Sequence, residues 1–240
     1  MTTLFISDLH LTPRRPHITE LFFDILRGEA REAEALYILG DLFEYWIGDD
    51  AADTLGYSAV IQHIGELAEA GVPVYFMRGN RDFLVGERFA DDTGCEILDD
   101  PTVVDLYDEP ALLMHGDSLC TDDLAHQKFR ATVGDRAWQR SFLDKPVAER
   151  MQMAEAARAQ SREHKDSVSM EIMDVNQRAV RKAFDEYGVR LLIHGHTHRP
   201  AIHDGRPDGT RRIVLGDWYE QSSVLRCSPG GQRLDPPPGS

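Results

Sequence analysis

The sequence has no apolar run long enough to cross a membrane, because none of its segments holds the roughly 18 consecutive apolar residues that a spanning helix needs. It also has no secretion signal at its start. A basic segment followed by a long apolar stretch is missing, and the acidic Asp8 arrives almost at once. We therefore expect a globular protein that is not exported and works in the cytoplasm.

Cysteines are few, with Cys95, Cys120 and Cys227 far apart and no CxxC spacing among them. An odd number of isolated cysteines is not a disulfide framework, and it does not supply the paired thiolates of a structural zinc site. We expect the thiols to be reduced.

Basic residues are in deficit, with 26 Lys+Arg against 41 Asp+Glu and a formal net charge of −15. This charge argues against a general nucleic-acid-binding protein, which needs excess lysine and arginine to displace counterions from phosphates. The deficit is uneven, because residues 124–190 carry a net charge of +3 and the rest of the chain −18. That segment is the candidate for contact with an anionic ligand or surface, although a solvated helical face explains the same charges. No pattern indicates a protein partner.

Short apolar runs alternate with helical periodicity along the first part of the chain. Strands are predicted at 36–39 and 72–77, and helices at 16–27 and 57–70. With 42% hydrophobic residues the chain can bury a real core. Alternating strands and helices favour an α/β layered fold, in which ligands bind at the carboxyl ends of the strands.

The domain organisation predicted from composition is a core interrupted by an insert. Residues 1–122 and 189–228 carry the strand pattern, whereas residues 123–188 are helix-rich, charged and punctuated by methionine. The Pro- and Gly-rich residues 229–240 are predicted to be a disordered tail.

Polar clusters follow five of the apolar runs. They are Asp8-x-His10, Gly40-Asp41, Gly79-Asn80-Arg81-Asp82, His115-Gly116-Asp117 and Gly195-His196-Thr197-His198. Side chains i and i+2 share a face on an extended backbone, so Asp8 and His10 can grip one cation. Carboxylate, imidazole and amide groups without a thiolate favour Mn, Mg, Fe or Zn. One such cluster alone is commonly structural, but five in order indicate a metal site.

This ordered set resembles the calcineurin-like metallophosphoesterase superfamily over about residues 2–120 and 190–220. The resemblance implies an α-β-β-α sandwich and two divalent metal ions held by seven catalytic residues. The first metal would be held by Asp8, His10 and His198, the second by Asn80, His115 and His196, and Asp41 would bridge both. Two metals stabilise the attacking and departing oxygens of an in-line displacement at phosphorus, so no nucleophilic side chain is needed.

Arg81 departs from the superfamily pattern, in which many esterases carry a histidine directly after the motif asparagine to protonate an alkoxide leaving group. Arginine stays charged and cannot act as a general acid. A phosphate leaving group, whose second pKa is about 6, departs without protonation. The presence of Arg81 therefore favours a pyrophosphate bond as the bond that is hydrolysed. Its guanidinium group would bind a phosphoryl oxygen. The alternative is that Arg81 is a structural partner of Asp82 or Asp41.

Longer motifs resemble a narrower family, the UDP-2,3-diacylglucosamine pyrophosphohydrolases of lipid A synthesis. The motifs include Tyr37-Ile38-Leu39-Gly40-Asp41-Leu42-Phe43-Glu44, Trp46-Ile47-Gly48-Asp49-Asp50, Leu119-Cys120-Thr121-Asp122-Asp123, Ile172-Met173-Asp174-Val175-Asn176 and Ile193-His194-Gly195-His196-Thr197-His198-Arg199-Pro200. This resemblance implies Mn²⁺-dependent attack of water on the α-phosphorus of UDP-2,3-diacylglucosamine. UMP and 2,3-diacylglucosamine 1-phosphate (lipid X) would be the products. It also implies peripheral association with the cytoplasmic face of the inner membrane.

The same resemblance implies a set of substrate contacts, which are Asn80, Arg81, Asp123, Ser161, Lys165, Val168 and His196. Members of the family often carry a lysine where this chain has Val168. Lys165, one turn earlier, is the candidate to supply the missing cation.

The insert also supplies apolar surface suited to a lipid-binding cap. Its aromatic, leucine and methionine side chains are Phe129, Trp138, Phe142, Leu143, Met151, Met153 and Met170. An aromatic and methionine stripe on helices is also typical of an ordinary core, and that interpretation stays open.

Two rival functions remain at the level of sequence. One is a generic metallophosphoesterase acting on soluble phosphodiesters or nucleotides, which Arg81 and the apolar insert disfavour. The other is a metal-free scaffold for protein partners, which the retention of all seven ligand-type residues disfavours.

Overall fold

The computed structural model describes residues 2–167, 172–204, 209–219 and 223–235. Within these residues short strands and helices alternate along the chain. In order, they are β1 (Thr3–Ile6), α1 (Pro16–Arg27), β2 (Ala35–Leu39), α2 (Ser58–Glu69), β3 (Val74–Met77), α3 (Glu87–Thr93), β4 (Glu96–Leu98), β5 (Thr102–Leu106), β6 (Glu109–Met114), α4 (Leu124–Val133), α5 (Arg136–Leu143), α6 (Val147–Ser167), α7 (Gln177–Tyr187), β7 (Leu191–His194), β8 (Ala201–His203), β9 (Arg211–Val214), β10 (Val224–Ser228) and β11 (Gly231–Asp235).

The strands form two sheets. The first has the order β11-β10-β1-β2-β3-β4, with β1 to β4 parallel and β10 antiparallel to β1. The second has the order β5-β6-β7-β9-β8, with β6, β7 and β9 parallel. Because the carboxyl ends of neighbouring parallel strands meet at one edge, the loops after β1, β2 and β3 lie together, as do those after β6 and β7. These are the loops that carry the polar clusters.

Alternation along each strand sends side chains to two different layers. In β1, Phe5 joins the cluster between the two sheets, whereas Leu4 and Ile6 face the cluster covered by α1 and α2. Helix α7 covers the outer face of the second sheet, with Val180 and Phe184 in the cluster that includes strand residues of β6 and β7. The predicted α-β-β-α sandwich is thereby confirmed.

Helix α7 lies outside the insert in which the sequence placed it. It is strongly amphipathic, as is α5, and only its packing on the second sheet identifies it as a layer of the core. The structure therefore has a three-helix cap, defined here as α4, α5 and α6, which is shorter than the predicted insert of 123–188. The cap is anchored to the core by Arg150, which is buried and donates to Ile47 O and to the Asp50 carboxylate.

The prediction of a disordered tail is wrong for Gly231–Asp235. These residues form β11, which pairs antiparallel with β10 and covers the edge of the first sheet. The Pro229 and Gly230 pair that suggested disorder is the turn of this hairpin, and Leu234 packs against the cluster between the sheets. Residues 236–240 lie outside the described residues.

None of the helices in the described ranges is both long enough and apolar enough to span a membrane.

Candidate metal centre

Side chains from the loops after β1 and β7 converge on one point. His198 Nε2 lies 3.3 Å from Asp8 Oδ1 and 3.3 Å from His10 Nε2. His10 Nε2 is in turn 3.9 Å from Asp8 Oδ1. These three ligand atoms all lie within 4.8 Å of one another, so Asp8, His10 and His198 can hold one metal ion.

A second group lies next to the first. Asp8, Asp41 and His115 place their ligand atoms within 4.8 Å of one another. Asn80 Oδ1 is 3.0 Å from His115 Nε2, and the rings of His115 and His196 have centroids 5.1 Å apart. The structure thus brings the residues predicted for the second metal to the same place.

Asp41 faces both groups with different oxygens. Its Oδ2 is 3.9 Å from His10 Nε2, and its Oδ1 is 3.7 Å from His115 Nε2. This orientation suits a carboxylate that bridges two cations. Asp8 also belongs to both groups.

Five of the predicted ligands hold a left-handed backbone. The φ angles are 57° at Asp8, 47° at His10, 52° at Asp41, 66° at His196 and 55° at His198. For residues with a Cβ this region is sparsely occupied, and it persists only where the surroundings enforce it. The loops enforce it here through backbone bonds from Asp8 N to Gly40 O (3.1 Å) and from His10 N to Asp41 O (2.9 Å). Such strain clusters at functional sites.

Burial and neighbouring charges shift the pKa values of the acidic and histidine residues at this centre. Burial alone would raise the pKa of Asp8, but His198, His115 and His10 together hold it below its ordinary value. Burial also raises the pKa of Asp41. His115 responds to both carboxylates: burial lowers its pKa, yet Asp41 and Asp8 raise it to about 9. The pKa of His10 lies well below its ordinary value because burial disfavours the imidazolium. A neutral imidazole is the form that binds a metal.

Asp8 Oδ1 is the clearest sign that a cation fits this centre. Asp8 is completely buried, and among the described residues this oxygen faces only the nitrogens of His198 at 3.3 Å and His10 at 3.9 Å, without a well-aligned hydrogen bond. A buried carboxylate oxygen without a donor is costly unless a cation lies against it. The other oxygen, Oδ2, accepts from Ser7 Oγ at 2.5 Å and from His196 N at 2.8 Å, which leaves Oδ1 facing His198 and His10.

The rings of His115 and His198 are each oriented by an oxygen atom that contacts the Nδ1 nitrogen, on the side of the ring away from the centre. His115 Nδ1 donates to Leu39 O at 2.9 Å, which turns Nε2 toward Asp41 and Asn80. His198 Nδ1 lies 3.1 Å from Asp217 Oδ2, which turns Nε2 toward Asp8. Asp217 was not predicted from the sequence. Its position in Gly216-Asp217-Trp218, directly after a strand-like run, was the only signal.

Asp217→Asn is expected to weaken metal binding at the His10 and His198 side by about 10- to 100-fold, because outer carboxylates of this kind raise the basicity of the ligand and fix its ring. Titration of the metal-depleted protein with Mn²⁺ measures the effect. Asp204→Asn, at an exposed carboxylate after β8, is the matched control. Equal affinities in the two variants would contradict the role of Asp217.

Asp82 holds two of the loops together. Its buried carboxylate accepts from Gly79 N at 2.7 Å, Leu42 N at 2.8 Å and Asp41 N at 3.2 Å. From the sequence, Asp82 belongs to one of the five polar clusters and is a possible partner for Arg81, whereas its observed partners are these backbone amides. Arg81 lies instead over Asp41: its backbone N donates to Asp41 Oδ1 at 2.8 Å, and its Nε is 3.9 Å from Asp41 Oδ2.

A network that was not predicted from the sequence lies beside His10. The ring of Tyr219 stacks on His10 at 5.3 Å, and the Arg15 guanidinium lies 3.5 Å from the centre of the Tyr219 ring. Glu44 accepts from Tyr219 OH at 2.9 Å and from Arg15 at 2.9 Å, and it also pairs with Arg158 of α6. The network joins the three-helix cap to a predicted metal ligand.

The remaining predicted substrate contacts divide by position. Asn80 and Arg81 lie at the centre itself. Asp123 is the N-cap of α4, where its side chain accepts from His126 N at 2.9 Å. The His126 ring lies 5.0 Å from that of His196, so the start of α4 borders the centre. Ser161 and Lys165 lie on α6, and Val168 lies outside the described residues.

Some apolar residues of the insert belong to the core, and others are exposed where a lipid could contact them, so each of the two interpretations holds for part of the set. Phe142 is buried, with Trp138 stacked on it at 5.1 Å, and Met151 packs partly buried against the core. These are core residues. By contrast, the side chains available to an apolar ligand are exposed at 38% for Phe129, 39% for Leu143 and 39% for Met153. Met170 lies outside the described residues.

Comparison with protein-family models identifies the calcineurin-like phosphoesterases, whose model matches residues 1–200. Curated relatives named UDP-2,3-diacylglucosamine hydrolase are similar along nearly the whole chain. That of Xanthomonas oryzae pv. oryzae (strain PXO99A) is 55% identical, and that of Stenotrophomonas maltophilia (strain K279a) is 52% identical. Each match covers 98% of this chain and 98% of the relative.

Among solved structures, a novel archaeal phosphodiesterase is similar with a TM-score of 0.51 at 14% identity. The match covers 98% of this chain and 99% of the other. At this identity the likeness concerns the fold alone.

Proposed function

This chain belongs to the calcineurin-like phosphoesterase family, and from that premise we propose that it hydrolyses the pyrophosphate bond of UDP-2,3-diacylglucosamine, giving UMP and 2,3-diacylglucosamine 1-phosphate. This reaction is a step of lipid A biosynthesis. The observation that carries the proposal is a complete set of ligand-type side chains with Arg81 beside it, in a chain 55% identical to curated hydrolases of this substrate.

The donors at the centre fit two divalent cations. Asp8, His10 and His198 would hold one, Asn80, His115 and His196 the other, and Asp41 would lie between them. An all-oxygen and nitrogen donor set suits Mn²⁺, and we propose Mn²⁺ as the metal. When bound, the pair of cations would supply an activated water and stabilise negative charge at phosphorus.

Arg81 has the chemistry for a pyrophosphate substrate. Its side chain is mostly buried against the Asp41 carboxylate, so it presents a positive charge beside the position where the phosphates would lie. The fork of a guanidinium binds phosphoryl oxygens, and it strengthens its hold as charge builds up in the transition state. Attack of water at the α-phosphorus releases lipid X through its own phosphate. That leaving group needs no proton, so a side-chain general acid is unnecessary.

The three-helix cap would receive the lipid half of the substrate. Phe129, Leu143 and Met153 expose apolar surface there, and residues 124–167 carry a net charge of +3. Apolar groups with nearby cations suit both acyl chains and an anionic lipid surface, where each well-placed cation contributes about 1 kcal/mol. We propose that the protein contacts the cytoplasmic face of the inner membrane peripherally through this cap.

Lys165→Ala is expected to raise the KM for UDP-2,3-diacylglucosamine by about tenfold with little change in kcat. The loss of one cation on α6 removes a contact that holds substrate and transition state equally. Initial rates over a range of substrate concentrations in mixed micelles measure it. Lys182→Ala, at an exposed lysine of α7 outside the cap, is the matched control, and an unchanged KM in Lys165→Ala would remove Lys165 from the set of contacts.

Turnover of UDP-2,3-diacylglucosamine with Mn²⁺ in ¹⁸O-labelled water tests the proposal as a whole. Label in UMP is the expected result, because water attacks the α-phosphorus. Label in the lipid product would mean attack on the other phosphorus. Faster hydrolysis of a soluble phosphodiester than of the lipid would favour a generic phosphoesterase, and absence of any Mn²⁺-stimulated hydrolysis would favour a scaffold.

A further inference from the structure

A cavity of about 250 Å³ lies beside Asn80. Its floor is formed by the residues that follow two parallel neighbouring strands, Arg78 and Gly79 after β3 and Asp99 and Asp100 after β4. The carboxyl ends of adjacent parallel strands are where α/β folds bind ligands. The opposite wall comes from α4 and α5, so the cavity lies between the core and the three-helix cap.

The lining combines hydrogen-bonding groups of both signs with apolar surface. Arg130 crosses from α4 to the core, with its Nε 3.0 Å from Asp117 Oδ2 and its Nη2 3.8 Å from Asp100 Oδ2. The Asp100 side chain keeps 14% of its surface exposed. Phe83 and Val133 add apolar walls. The carboxylates of Asp99 and Asp100 line the cavity and can accept hydrogen bonds from a ligand.

We propose that this cavity binds the nucleoside half of the substrate, which extends from the α-phosphate at the metal centre past Asn80. The inference rests on the proposed function. A nucleoside presents hydroxyl and N–H donors for carboxylates, carbonyl acceptors for guanidinium groups, and a flat ring for an apolar wall. The volume lies below the roughly 300–1,000 Å³ typical of pockets for drug-sized ligands, so the cavity suits one nucleoside and excludes two acyl chains.

The test compares the affinity of the Mn²⁺-loaded protein for UMP with its affinity for inorganic phosphate, both by calorimetry. The ratio isolates what the nucleoside adds, because the two ligands share the phosphate. We expect UMP to bind at least about tenfold more tightly than phosphate. Val133→Trp fills the cavity from the end of α4 and is expected to bring the ratio close to one. Val103→Trp, which places the same ring on the exposed face of β5, is expected to keep the wild-type ratio.

Equal affinities for UMP and phosphate in the wild-type protein would overturn the proposal, and so would a Val133→Trp protein that retains the wild-type ratio. If circular dichroism shows that Val133→Trp does not fold, the same ratio is measured in Gln139→Leu, which changes a residue of α5 that lines the cavity. A fall of about threefold or more in the ratio supports the proposal, and an unchanged ratio overturns it. The proposed function is tested by a different result. It is contradicted if the wild-type protein releases no UMP from UDP-2,3-diacylglucosamine, whereas the binding of UMP is measured without any turnover.

Discussion

Asp41→Ala is expected to lower kcat/KM for UDP-2,3-diacylglucosamine by about 10³-fold or more. The two oxygens of Asp41 face His10 and His115 separately, so its loss removes one donor from each proposed metal position. Metal ions contribute several kcal/mol of charge stabilisation in the transition state, and a loss of about 4 kcal/mol is about 10³-fold in rate. Arg81 would also lose the carboxylate that accepts its backbone N–H.

The measurement pairs steady-state kinetics with elemental analysis of bound Mn²⁺. We expect Asp41→Ala to retain less metal than the wild-type protein at equal free Mn²⁺. Asp91→Ala, at an exposed carboxylate of α3, is the matched control and should leave both quantities unchanged. An Asp41→Ala protein with full metal content and full activity would contradict the bridging position of this carboxylate.

Arg81→His is expected to change which leaving groups the protein accepts. The variant loses the permanent charge of the guanidinium, and we expect kcat/KM for UDP-2,3-diacylglucosamine to fall about 10²-fold. It gains an imidazole in the position where related esterases hold a general acid. General acid catalysis contributes about 10²- to 10⁴-fold to reactions whose leaving group must be protonated. Hydrolysis of the methyl ester of UMP, which releases an alkoxide, should therefore rise relative to the pyrophosphate reaction.

The ratio of the two specificity constants is the quantity to measure, because it is independent of the fraction of active protein. We expect it to shift by about 10²-fold or more toward the methyl ester. Arg88→His, at an exposed arginine of α3, should leave the ratio at its wild-type value. The same ratio in Arg81→His as in the wild-type protein would show that Arg81 does not decide the leaving group.

Much of the centre was predictable because its ligands follow strands. Asp8, Asp41 and Asn80 each come within three residues of the end of an apolar run, and parallel strands must bring such residues to one edge. The sandwich followed from the same alternation. Asp217 and Tyr219 were not predictable in this way. They reach His198 and His10 only because β9 lies beside β7 and β10 lies beside β1, and strand order between distant segments leaves no local pattern.

The errors have equally local causes. Helices α7 and α5 are both strongly amphipathic, so amphipathicity alone could not assign α7 to the second sheet. The turn at Pro229 and Gly230 has the same composition in a hairpin as in a disordered tail, and only the pairing of β11 with β10 distinguishes the two. Helix α3 and strand β8 were not predicted, because each is too short for its periodicity to be recognised.

The left-handed backbone at Asp8, His10, Asp41, His196 and His198 restricts how this centre can evolve. In a randomised library, β-branched replacements at these positions would fail on conformation before any chemistry is tested, and asparagine and glycine would be the least disfavoured. A different metal preference is therefore more accessible through substitution of residues that contact the ligands, such as Ser7 beside Asp8 and Asp217 beside His198. The backbone of neither residue is left-handed, so neither carries this restriction. Laboratory selection for new metal specificity should recover its first substitutions there.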